Sequence, residues 1–155
     1  MVRLEPESSR SSLLSQLFWF LLWAAAVAVA LFLQPDPRGH GTHTQLGLPP
    51  CPSMLLFAKP CPGCGMTTSF VAMTHLDFAA AWQAHPFGPP LALGWTGTAL
   101  LAGWCWWMRL RLRLTRAADY AAVALALLFF GFGIARFALA PNHPGVALQV
   151  VRAAP

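Results

Sequence analysis

The sequence predicts an all-α integral membrane protein with three transmembrane helices, short interfacial helices and an outer loop cap rich in proline and glycine. Hydrophobic residues make up 57% of its 155 residues and charged residues only 10%, whereas soluble domains usually carry about 25% charge. So few charges cannot cover a globule of this size, and lipid over much of the surface explains the deficit. We expect residues 1–155 to form a single membrane domain.

Three apolar stretches are long enough to cross a bilayer, which takes roughly 20 residues. They cover residues 13–33, 91–108 and 120–140, and the third contains a single charge, Arg136. A cleaved signal peptide is the alternative interpretation of the first stretch, because Ala28 and Ala30 resemble a cleavage site.

Arginines flank these stretches unevenly, and their distribution predicts an orientation. The link between the second and third stretches holds four of them, and two precede the first stretch: Arg109, Arg111, Arg113, Arg116, Arg3 and Arg10. By the positive-inside rule both segments face the cytoplasm, so the N-terminus lies inside and residues 34–88, called the cap below, lie outside. Because the flanking of spans explains these charges, we expect no nucleic-acid partner.

The cap cannot be one regular helix, since residues 34–65 hold 7 of the 14 prolines. After that segment the apolar spacing predicts two short helices, and Asp77 is placed to cap the second. We expect both helices to lie in the membrane interface.

Cysteines and histidines in the cap are the candidates for chemistry. Cys61 and Cys64, two residues apart, can close a small disulfide ring or bind one metal ion, and a helix starting near Cys64 would lower its thiol pKa. In an oxidising compartment either cysteine can instead bond to Cys51. His40 and His43 could complete a Cys₂His₂ site for zinc or copper if the loop folds back. The residues leave disulfide, metal and redox roles open.

Two further features concern packing. We expect Arg136 either to extend its side chain to the membrane surface or to pair with Asp77. Gly94, Thr98 and Ala102 form a small-residue face suited to packing inside the bundle or to dimerisation.

Several motifs in the cap resemble the bacterial membrane family called domain of unknown function 2752. They are Asp36-Pro-Arg-Gly-His-Gly-Thr-His43, Gln45-Leu-Gly-Leu-Pro-Pro-Cys51, Cys61-Pro-Gly-Cys-Gly-Met-Thr67, Asp77 and His85-Pro-Phe-Gly88. The resemblance implies a small multi-span protein of the bacterial inner membrane with its cysteine motif near a helix start. We take Gly65 and Thr67 of that motif as candidate structural residues, and the predicted orientation places the motif on the periplasmic side. Many members carry arginine where this chain has Thr68, and the family implies no established activity.

No complete catalytic set is visible, so the sequence favours a non-enzymatic accessory or assembly subunit with a cysteine-stabilised cap. Its expected partners are the lipid bilayer and either another membrane protein or a second copy of the chain. The alternative is a thiol-redox or metal-handling membrane protein that uses Cys61 and Cys64 with zinc or copper.

Overall fold

The computed structural model describes residues 3–6, 10–57, 59–113 and 116–139, and most of them are helical. In chain order the elements are β1 (Arg3–Pro6), α1 (Arg10–Phe32), a 3-10 helix (Thr42–Leu46), α2 (Pro52–Phe57), α3 (Met66–Thr74), α4 (Phe78–Ala84), α5 (Gly88–Trp107), β2 (Leu110–Arg113) and α6 (Arg116–Leu139). The helical class is confirmed, and the cap contains the short helices that the sequence predicted. Ala140 and the residues after it lie outside the described part of the chain.

A short antiparallel ribbon adds strands that the all-α prediction did not include. β1 pairs with β2 so that Arg3 is opposite Arg113 and Glu5 is opposite Arg111. The pairing joins the segment before α1 to the link before α6. Both arginine-bearing segments therefore lie next to each other in the fold.

Two of the three predicted spans are long and apolar enough to cross a membrane. They are Ser11–Phe32 in α1 and Arg116–Leu139 in α6. Of the 18 most apolar consecutive residues in each helix, only 11% and 6% are buried. The core helix of a soluble protein would be mostly buried, so these exposed apolar surfaces suit lipid. The remaining predicted span, residues 91–108, corresponds to α5, which is not apolar enough to be counted with them because glycines, threonines and tryptophans separate its aliphatic residues.

α1 and α5 pack side by side, and indole hydrogen bonds hold them together. Trp19 Nε1 donates to Thr98 Oγ1 at 3.3 Å, and Trp23 Nε1 donates to Thr96 Oγ1 at 3.1 Å. Of the predicted small-residue face, Ala102 is buried and Thr98 makes this bond, whereas a Cβ at Gly94 would meet nothing within 4 Å. Packing of α5 on α1 therefore uses only part of that face.

α3, which is part of the cap, packs against the C-terminal end of α1. Ala30 of α1 and Leu33, the residue after α1, form a small buried core with Val71 of α3. α4 then turns back against α3, and the Asp77 carboxylate accepts a hydrogen bond from the Ala80 N–H at 2.9 Å. Asp77 thus has the capping role that the sequence predicted.

Candidate metal centre

Three of the four cysteines converge in the cap from two separate turns. Cys51 immediately precedes α2, and Cys61 and Cys64 lie in the turn before α3. Their Sγ atoms all lie within 4.8 Å of one another. Cys64 is buried, Cys51 and Cys61 are half-buried, and all four cysteines of the chain are free thiols. Cys105, in α5, is not part of the group.

The turn that carries Cys61 and Cys64 is fixed by its backbone. The Cys64 N–H donates to the Cys61 carbonyl and the Met66 N–H donates to the Gly63 carbonyl, both at 3.0 Å. Gly65 then adopts φ +91°, which favours glycine. A Cβ at Gly65 would lie 2.7 Å from the Gly39 carbonyl oxygen and would also clash with the Ala84 carbonyl. The predicted structural role of Gly65 therefore has a concrete basis in close backbone approach.

Cys51 occupies the start of a helix, and its surroundings favour the thiolate. Its carbonyl accepts from the N–H groups of Met54 and Leu55 as α2 begins. Burial acts to raise the Cys51 pKa, but hydrogen bonds to its sulfur outweigh that effect and lower the pKa overall. The donors are the Met54 N–H, the Cys61 thiol, and the N–H groups of Ser53 and Cys61.

The other two thiols are shifted the opposite way. Burial raises the pKa of Cys61, and the thiol bond it donates to Cys51 adds to that shift. Burial, together with the nearby charges of Cys51 and Cys61, raises the pKa of Cys64 to about 12. The expectation that a helix start would lower the Cys64 pKa is therefore wrong, because burial and two neighbouring sulfurs outweigh the helix end.

This arrangement suits one thiophilic cation. Tetrahedral zinc with Zn–S bonds of about 2.3 Å needs its sulfur ligands roughly 3.8 Å apart, which a small contraction of the cluster would reach. Without a cation, burial first and repulsion between neighbouring thiolates second keep the protons on Cys61 and Cys64. A bound metal ion would displace the thiol protons and neutralise the thiolate charges, so the three sulfurs would no longer repel one another.

Neither predicted histidine joins the sulfurs. His40 Nδ1 lies 2.9 Å from the Arg38 carbonyl in its own loop, and His43 lies in the 3-10 helix. Among the residues that the structure describes, the group able to hold a metal consists of Cys51, Cys61 and Cys64. The proposed Cys₂His₂ set is therefore replaced by a set of three cysteines.

His85 is a residue of the site that sequence reasoning did not single out. It is fully buried, and its Nδ1 accepts from the Phe87 N–H at 3.2 Å. The proton must then sit on Nε2, which donates to the Pro62 carbonyl at 3.1 Å. Burial lowers the His85 pKa, so the ring stays neutral and supports the cysteine turn without offering a free nitrogen. The sequence feature that could have identified His85 is its place in the His85-Pro86-Phe87-Gly88 motif.

Arg136 also reaches the cysteine turn instead of its expected partner. Its Nη1 donates to the Cys64 carbonyl at 3.0 Å, whereas the Asp77 carboxylate accepts from the Ala80 N–H at the start of α4. The described residues contain one salt bridge, between Arg38 and Asp36, so the expected pair of Arg136 with Asp77 is not formed. A positive charge therefore lies beside the sulfur cluster.

The threonines after the motif have different environments. Thr67 is exposed, whereas Thr68 is buried and accepts a hydrogen bond from Thr42 at 2.9 Å. Thr42 in turn accepts from the Asp36 N–H at 3.0 Å. The bond that Thr42 donates to Thr68 ties the loop between α1 and α2 to α3, so Thr68 is part of the buried structure.

An apolar cavity of about 700 Å³ lies beside the cluster but does not include it. Its walls come mainly from α1, α3 and α5, with Val71 and Trp95 among them. None of the three sulfurs lines this cavity, so the two features are separate.

The fold and the site together define a helical protein with two helices suited to a membrane and a thiol cluster able to hold a metal ion. Residues 51–98 match the model of the family described as "Protein of unknown function (DUF2752)", which confirms the resemblance seen in the sequence. The matched segment begins at Cys51 and includes the whole cluster. No curated protein and no solved structure matches the chain.

Proposed function

We propose that this chain is a membrane-embedded protein that binds one thiophilic metal ion, Zn²⁺ or Cu⁺, through the thiolates of Cys51, Cys61 and Cys64. One observation carries the proposal: all three sulfur atoms lie within 4.8 Å of one another. A disulfide would join two sulfurs and leave the third aside. A metal ion uses all three, and thiolates are the ligands that both ions accept readily.

The environment of the cluster supports a bound cation over a thiol-exchange centre. An attacking thiol needs an accessible, low-pKa sulfur, yet Cys64 is buried and its pKa is raised to about 12. Cys51 is the one sulfur of the three whose pKa is lowered. The cluster thus offers a first thiolate for capture and two thiols that lose their protons when the ion arrives.

The same proposal includes the place of the site in the membrane. α1, α5 and α6 cross a bacterial inner membrane, with the arginine-bearing ribbon in the cytoplasm and the cap on the periplasmic side. The metal then stabilises the cap of a non-enzymatic accessory subunit, whose exposed helix surfaces meet lipid and either another membrane protein or a second copy.

The direct test is the metal content of the full-length protein purified in detergent without chelators. We expect about one zinc or copper ion per chain by elemental analysis, and loss of that ion in Cys51→Ser, Cys61→Ser and Cys64→Ser. Cys105→Ser is the matched control, because that cysteine is outside the cluster and should leave the metal content unchanged.

The contrary result is equally specific. A metal-free wild-type chain that fails to take up added Zn²⁺ or Cu⁺ under reducing conditions would overturn the metal proposal. A disulfide between two of the three cysteines in such a protein would favour a structural disulfide in the cap instead. Labelling with a membrane-impermeant thiol reagent tests the orientation, in cells first treated with a chelator and a reductant. The proposed orientation requires that Cys51 be labelled from the periplasmic side.

A further inference from the structure

The last helix meets the rest of the protein at the cysteine turn. Most of the long apolar side chains of α6 are exposed, and its buried residue is Gly133. A Cβ at Gly133 would lie 2.7 Å from Pro62 Cα and would clash with the proline ring. The turn between Cys61 and Cys64 therefore rests directly on the backbone of α6.

Neighbouring side chains extend this contact on both sides of Gly133. Phe129 and Phe132 lie 5.6 Å and 5.7 Å from the His85 ring, between ring centres. One turn further, Arg136 donates to the Cys64 carbonyl and Phe137 meets the edge of Phe57 at the end of α2. The C-terminal third of α6 thus contacts the turn that supplies Cys61 and Cys64, and also the end of α2 that is farther from Cys51.

We propose that metal occupancy of the cysteine cluster and docking of the C-terminal third of α6 are coupled, with Arg136 as the positioning residue. This inference rests on the proposed metal site and adds a regulatory property to it. A metal ion would fix the Cys61 and Cys64 sulfurs, and with them Pro62 and the Cys64 carbonyl. Those are the two groups that receive Gly133 and Arg136.

Coupling of this kind is reciprocal. If the metal favours the docked helix by a given factor, the docked helix must raise the metal affinity by the same factor. Groups that hold metal ligands in place typically change metal affinity about 10–100-fold when they are removed. We therefore expect undocking of α6 to weaken Zn²⁺ binding by at least about tenfold.

The first measurement uses wild-type protein in detergent with and without one equivalent of Zn²⁺. Hydrogen exchange of the backbone amides should slow in the C-terminal third of α6 when Zn²⁺ binds, whereas α1 near Trp19 should change little. Equal exchange rates in α6 with and without bound Zn²⁺ would overturn the coupling while leaving the metal site intact. Failure of the wild-type chain to bind either Zn²⁺ or Cu⁺ under reducing conditions would overturn both proposals.

The second measurement compares two glycines on the same helix by competition of Zn²⁺ with a chelator. Gly133→Ala should lower the affinity by about tenfold or more, because the added methyl group meets Pro62. Gly131→Ala is the matched control, since a Cβ there meets nothing within 4 Å. Equal affinities for the two variants would contradict the coupling.

Arg136 supplies the third comparison. Arg136→Leu should lower the Zn²⁺ affinity and also abolish the Zn²⁺-dependent slowing of exchange in α6. Arg136→Lys keeps a charged donor and should restore part of both effects. A variant that loses stability but keeps the wild-type affinity and exchange response would show that Arg136 is only structural.

Discussion

Gly65 is the position where the structure makes its sharpest prediction about stability. The residue adopts φ +91°, where a side chain costs about 1–2 kcal/mol. A Cβ there would also press on the carbonyl groups of Gly39 and Ala84. Backbone atoms cannot rotate aside as side chains can, and such overpacking costs about 1–3 kcal/mol. Gly65→Ala should therefore lower the free energy of unfolding by about 2–5 kcal/mol.

Gly63, two residues earlier in the same turn, is the matched control for this experiment. It is exposed, its φ is not positive, and a Cβ there would meet nothing within 4 Å. Gly63→Ala should change the free energy of unfolding by no more than about 0.5 kcal/mol. Denaturant titration of both full-length variants in the same detergent, with metal removed by chelator, gives the comparison. A Gly65→Ala variant as stable as Gly63→Ala would refute the described backbone contacts.

Three other predictions follow from named interactions. Asp77→Ala should lower the free energy of unfolding by about 0.5–2 kcal/mol, because the hydrogen bond that caps the N-terminus of α4 is lost. Asp77→Asn should lower it less, and thermal or denaturant unfolding measures both changes. Thr42→Val should cost about 1–3 kcal/mol in the same assay, because it leaves the buried hydroxyl of Thr68 without this partner. The metal-free protein should lose stability as pH rises from 9.0, the ordinary pKa of Cys64, to about 12, its pKa in the fold. Above pH 9.0 the unfolded chain binds fewer protons than the folded one, so stability falls with pH. Cys64→Ser should make that fall smaller in pH-dependent unfolding curves, and Cys61, whose pKa is also raised, contributes to the part that remains.

The long helices could be predicted from sequence because hydropathy decides them. The stretches 13–33 and 120–140 correspond to Arg10–Phe32 and Arg116–Leu139. The ribbon was harder to find, although Leu110-Arg111-Leu112-Arg113 alternates apolar and charged residues as a strand does. Its short length and its place beside a span favoured a basic loop, and its partner lies more than a hundred residues away in the chain.

The candidate site was predictable in its residue types but not in its assembly. The spacing of Cys61 and Cys64 indicates a metal or disulfide pair, whereas the return of Cys51 depends on how a proline-rich loop closes, and no periodic pattern encodes that. The partner of Arg136 was missed because it is the Cys64 carbonyl, and a sequence shows charges but not where backbone oxygens point.

The position of α6 after the cap and α5 in the chain implies an order of assembly. Every element that gathers the sulfurs, from the end of α1 through α5, is synthesised before Arg116. A nascent chain can thus bring the three thiols together and load an ion while the Cys64 carbonyl still faces solvent or lipid. Arrival of the final helix would then close the loaded turn, so insertion of that helix and retention of the ion become one event.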